Sequence, residues 1–275
     1  MPQKKDQFVI ACLFEKQSAE RVVQYAQMCA SMLNKGLVLL HVCRNKEEQA
    51  VATEWVAKLG QHYMVLHGKW KTAIGSLPNA IGGVLTVAAY DRKALFGSML
   101  KPGKVLRMFN DCRTAYMLVP IEAKETVSVS NTPCFRKAIC TLDFRREGKD
   151  KLIWASYFPR FLGSDLTMAC PKYKDERLEE KCHNNRRFAE RMLKSLNVKY
   201  SFTILNGGTR VRKTTDRQAL DELKPDVMIV LATNLRERDT IDLIIGREEL
   251  RLLKHAGNTP VLMINQREDV YVLCD

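Results

Sequence analysis

Nowhere in this 275-residue chain do apolar residues run for the roughly 18 positions that a membrane-spanning helix needs. Residues 1–6 read MPQKKD and lead into an apolar stretch that stops at Glu15 and Lys16, too short and wrongly flanked for a secretory leader. No membrane partner and a cytoplasmic location are therefore expected. The nine cysteines are odd in number, scattered, and never form a C-x-x-C pair; the five histidines show no ligand spacing. Neither a disulfide framework nor a structural metal follows from such a pattern, and thiols inside apolar runs read as small reduced core residues. Also missing are G-x-S-x-G, H-E-x-x-H and G-x-G-x-x-G. Residues 97–104, GSMLKPGK, imitate a P-loop, but the glycines are one residue too far apart, Val105 follows the lysine, and Pro102 removes an N–H donor. No catalytic residue emerges.

The chain is 46% hydrophobic, enough to build two ordinary domains. Its formal charge of +13 raises the question of a polyanionic partner. That charge is spread over separate segments, with Glu179-Glu180 and Glu248-Glu249 between them, and reads as a solvated surface.

Apolar strand-like runs alternate regularly with helix-like segments. Strands are expected at 7–14, 37–42, 62–67, 84–89 and 115–119. Helices are expected at 18–33, 47–59 and 104–110, with a broken helix at 70–81 that carries Gly75 and Pro78. Strands apolar at every position and separated by helices imply a parallel sheet covered on both faces. Residues 121–133 turn polar and lose any helical stripe, so they read as a linker.

The order then restarts. Strands are expected at 135–143, 166–170, 200–205, 226–231 and 260–264, with helices at 150–161, 175–196, 215–223 and 247–255 and a further strand at 270–274. Val87 and Val230 are 143 residues apart, as are Gly103 and Gly246, which marks an internal repeat. The fold class is thus α/β: two tandem doubly wound domains, each with a five-stranded parallel sheet, spanning residues 1–122 and 134–275.

Residues 250–264, LRLLKHAGNTPVLMI, together with Asp226 to Val230 and the opening Ala138 to Asp143, resemble the universal stress protein family, and residues 105–119 look like a weaker copy. The resemblance covers nearly all of both halves. It implies an adenine nucleotide alpha hydrolase-like fold, packing of the two halves as a pseudo-dimer through their last strands, and a regulatory role in stress response through protein partners or a homodimer.

Many members of that family bind ATP at the carboxyl ends of strands one and four, through a glycine-rich loop. Here Ala88 and Leu231 take its first small position, Asp91 and Asn234 its second. Gly103 and Gly246 survive at the last, followed by Lys104 and Arg247. Asp91 would set a carboxylate against phosphate, and the first copy has Leu13 and Phe14 where an acid belongs. The second copy keeps Asp143. The resemblance therefore implies that ATP or ADP, if held at all, meets Leu142, Asp143, Asn234, Gly246 and Arg247, with Arg236 as a further phosphate partner. Capping of a strand and a helix explains Asp143 and Gly246 equally. Two other readings stay open: a nucleotide-dependent hydrolase or transferase working from the second domain, and a basic protein associated with nucleic acid.

Overall fold

The computed structural model of the chain describes residues 6–95, 97–121, 135–144, 149–205, 212–232 and 248–265. The described residues before 122 form one compact unit and those from 135 to 265 a second. The expected linker lies almost wholly outside them, as does the tail strand expected at 270–274.

In the first unit β1 (Phe8–Cys12), β2 (Gly36–Cys43), β3 (His62–His67), β4 (Gly83–Tyr90) and β5 (Ala115–Pro120) lie in the order β3-β2-β1-β4-β5, and all their pairings are parallel. Val9, Ala11, Cys12, Leu39, Val87 and Leu118 are fully buried, as expected of strands covered on both faces. α1 (Ala19–Leu33) packs on β1, β2 and β4; α2 (Lys46–Ala57) packs on β2 and β3; α3 (Trp70–Ile81) meets β4 and α4 (Pro102–Met108). Because crossovers are right-handed, the reversal of direction after β3 sends α3 and α4 to the face opposite α1 and α2. That reversal opens a crevice between the carboxyl ends of β1 and β4.

Local signals set the helix ends. Asn45 Oδ1 accepts the Glu48 N–H at 2.8 Å, the cap that starts α2, while Glu48 Oε2 accepts the N–H of Arg44 just before it. α1 stops at Asn34, in the left-handed region at φ 51°. The break expected in α3 does not occur: the helix runs unbroken through Pro78. Trp70, Ile74 and Pro78 fall at helical spacing and are all buried, and burying that stripe offsets the hydrogen bond that proline removes.

The second unit repeats the plan with β6 (Lys137–Thr141), β7 (Asp165–Cys170), β8 (Ser201–Ile204), β9 (Val227–Leu231) and β10 (Val261–Ile264), ordered β8-β7-β6-β9-β10 and again parallel throughout. α5 (Lys149–Leu162) covers β6, β7, β9 and β10, and α7 (Arg212–Leu223) lies on β6, β7 and α8 (Glu248–His255). α5 buries Leu152, Ala155, Tyr157 and Phe158, while Ile153 is only half-buried. α6 (Glu176–Ser195) starts at an Asp175 cap and packs against α5, leaving Phe202 and Ile204 of β8 exposed. No helix among the described residues is long and apolar enough to cross a membrane.

Seven cysteines are described, all buried and none of them joined in a disulfide among the described residues. Trp70 and Trp154 are core residues and Trp55 is half-buried.

Candidate functional site

In the second unit the crevice lies beyond Thr141 and Leu231, the last residues of β6 and β9. The Leu142 side chain is fully buried and its N–H continues the sheet to the Ala169 carbonyl at 2.9 Å, so Leu142 offers backbone only. Asp143, one residue further, is only 5% exposed. Two long-range contacts fix this turn. Asn185 of α6 donates through Nδ2 to the Asp143 carbonyl at 2.6 Å, and Lys151, 2% exposed, donates through Nζ to the Thr141 carbonyl at 2.5 Å.

Tyr173, beyond β7, packs edge-on against Phe144 with ring centroids 5.5 Å apart. Burial pushes its phenol well above the ordinary range and the neighbouring Asp143 carboxylate adds to this. The Tyr173 N–H donates to Glu179 Oε2 at 2.8 Å, and Glu179 Oε1 holds Arg186 at 2.9 Å. The result is a polar floor with a buried acid at the end of its first strand. Asn234, Gly246 and Arg247, expected at this crevice, lie outside the described residues, as does Arg236.

The first unit builds its crevice differently. Ala88 is fully buried in β4. Asp91 does not aim its carboxylate at the crevice: Oδ1 accepts the Lys93 N–H at 2.8 Å and its own N–H donates to the Leu100 carbonyl, an Asx-type turn that shapes the loop. Gly103 lies within α4 and Lys104 bends back to the Gly97 carbonyl at 2.9 Å. The acid that enters this loop is Glu15, three residues past β1. Its Oε1 accepts the Ser98 hydroxyl and the Met99 N–H, both at 2.9 Å, while Oε2 accepts Gln17 Nε2 at 2.7 Å. Beside it Phe14 meets Trp70 edge-on at 4.6 Å, and His41 lies 5.2 Å from Trp55 and 5.9 Å from Trp70. His67, at the end of β3, spends Nε2 on the Arg44 carbonyl.

His41 Nδ1 donates to the Leu13 carbonyl at 2.6 Å, which sets the neutral tautomer. Burial holds its pKa below the ordinary value, with the Leu13 bond and Glu48 opposing. Unfolded His41 therefore takes up a proton at a higher pH than the folded side chain does. Its contribution to stability is complete above about pH 6.5 and is lost as pH falls toward the depressed folded value. Acidification from about pH 7.5 to about 5 should lower the unfolding midpoint more in the natural chain than in His41→Asn, whose amide keeps the donor and does not titrate. Equal slopes in the two proteins exclude His41 as the titrating group.

The thiols of Cys12, Cys43 and Cys170 are all raised by burial, as are the phenols of Tyr90 and Tyr173. Each stays protonated at neutral pH, so none of these groups is an activated nucleophile. Local sequence gave no pointer to Lys151, Tyr173 or Asn185. Glu15 carried a faint one, as the first acid after a buried strand.

No protein-family model matches the chain, and no curated protein matches it significantly in sequence. Solved structures do. A universal stress protein from Archaeoglobus fulgidus DSM 4304 is 10% identical, with 94% of this chain and 98% of that one covered and a TM-score of 0.68. A putative universal stress protein from Pseudomonas aeruginosa UCBPP-PA14 is 12% identical, with 94% and 92% covered and a TM-score of 0.59. The cytoplasmic domain of a prokaryotic cation chloride cotransporter is 9% identical, with 95% and 96% covered and a TM-score of 0.57. At such identities the likeness is one of fold, and the fold is that of the universal stress proteins in two tandem units.

Proposed function

We propose that this chain is a tandem universal stress protein, a non-catalytic binding and regulatory protein of the stress response, in which the second unit is the place for an adenine nucleotide. One contrast carries this reading. In the first unit Glu15 hydrogen-bonds across to the loop after β4 and Phe14 packs on Trp70, whereas the second unit keeps a buried carboxylate, Asp143, two residues past β6. An acid in that position suits the hydroxyls or amino groups of a nucleoside, and the open end of a doubly wound sheet is where such ligands lie.

Titration calorimetry with ATP and ADP is expected to give one site per chain. Asp143→Ala should weaken it by about tenfold or more, the loss of one charge-assisted hydrogen bond. Unchanged affinity in that variant removes Asp143 from the site, and no heat at millimolar ATP removes the nucleotide altogether. Release of inorganic phosphate at a steady rate would favour the hydrolase reading instead. Salt-sensitive retardation of DNA or RNA would favour the nucleic-acid reading.

A further inference from the structure

The first unit holds a carboxylate in a place prepared for an anion. Glu15 leaves the end of β1 and crosses to the loop between β4 and α4, some eighty residues away in sequence. There it takes two donors, the Ser98 hydroxyl and the Met99 N–H, on one oxygen, and Gln17 on the other. Its residue is only half-buried, so a small solute reaches the same donors from solvent once the side chain is gone.

The surroundings are basic. The loop carries Arg92, Lys93 and Lys101 against the single acid Asp91, whose carboxylate is turned to its own backbone. Ser98 is itself oriented by the loop, since its oxygen accepts the Leu100 N–H at 3.1 Å while its hydroxyl hydrogen goes to Glu15. Arg21, in the first turn of α1 just beyond Glu15, buries its Nε and Nη2 without a hydrogen-bond partner among the described residues. Its side chain adds one more positive charge within six residues of Glu15 in the chain.

We propose that the donors of Ser98 Oγ, Met99 N–H and Gln17 Nε2 form a small-oxyanion site that Glu15 occupies from within, as a latch tying the loop after β1 to the loop after β4. A free carboxylate or phosphate takes the same donors when Glu15 is withdrawn. The first unit is then a closed counterpart of the second, which goes beyond the nucleotide reading and does not depend on it.

The test is chemical rescue in the full-length chain. Glu15→Ala removes the occupant and leaves the donors, so its unfolding midpoint should fall. Formate or inorganic phosphate at millimolar concentration should restore the midpoint saturably, whereas chloride at equal ionic strength should not. The natural protein, its site already filled, should not respond. Whichever anion rescues at the lower concentration identifies the preferred ligand as carboxylate or phosphate.

Equal responses of Glu15→Ala to formate, phosphate and chloride overturn the proposal, and so does equal formate stabilisation of the natural protein. Should Glu15→Ala not fold, Glu15→Gln keeps the shape and loses the charge. Hydrogen exchange at the Met99 amide is then expected to quicken by about tenfold, and an unchanged rate overturns the latch. Asp143→Ala serves as the control: its Met99 exchange stays at the natural rate, so failure here leaves the second unit's nucleotide reading untouched.

Discussion

Gly82→Ala is expected to destabilise the protein by about 3 kcal/mol, and Gly82→Val by more. Gly82 ends α3 in the left-handed region at φ 73°, its N–H on the Pro78 carbonyl. A side chain there would cost about 1–2 kcal/mol in backbone conformation alone. The Cβ would also sit 2.5 Å from the carbonyl oxygen of Asp6. That oxygen belongs to the chain entering β1, where the Phe8 N–H donates to the Gly82 carbonyl at 3.1 Å. The strand cannot step aside without breaking that bond. Gly60 supplies the control, with φ 67° and nothing within 4 Å of an added Cβ. Gly60→Ala therefore measures the conformational part alone, about 1 kcal/mol, and the difference measures the overlap. Thermal unfolding separates them, since each kcal/mol moves the midpoint by roughly 2–4 °C in a chain of this order of size. Equal losses at the two positions would mean that the Asp6 segment yields freely.

Phe158→Ala should be as damaging in the second unit, by about 3–5 kcal/mol. Phe158 is fully buried where α5 crosses the sheet, and its ring meets Phe135 edge-on at 5.5 Å between centroids. Truncation removes the transfer energy of the ring and leaves a void that Leu152, Ala155 and the strands beneath cannot fill without shifting. Phe158→Leu keeps most of the volume and should lose less than half as much. Phe161, one turn further on and 48% exposed, provides the contrast, with a loss below about 1 kcal/mol for Phe161→Ala. Urea titration reads all three, and a Phe158→Ala loss no larger than that of Phe161→Ala would contradict the packing described.

The two units show how one fold yields unequal crevices. Both end their first strand beside a carboxylate, but Asp143 lies two residues past β6 and is buried, while Glu15 lies three past β1 and reaches another loop. Successive residues leaving a strand point to opposite sides. A displacement of one residue therefore turns an acid from one side of the crevice to the other, and in the first unit Phe14 takes the vacated side with Trp70 against it. Binding energy in such a site depends on which donors remain free, and in the first unit Ser98 and Met99 are already engaged.

The amino-acid sequence by itself determined the order of strands and helices, their parallel arrangement and the restart of that order in the second half. Each is written locally: strands covered on both faces are apolar at every position, as in Val227–Leu231, and amphipathic helices repeat every three to four residues, as in Trp70, Ile74 and Pro78. The place of Asp143 just past such a strand was legible for the same reason. Tertiary structure alone decided that α3 continues through Pro78, that Lys151 is buried under Thr141, that Asp91 turns inward to its own loop, and that Glu15 bonds to the loop after β4. These depend on partners far away in the chain, Glu15 and Met99 above all. A hydrogen bond between distant residues leaves no periodic trace in the sequence, because its geometry exists only after the sheet has brought the two loops together.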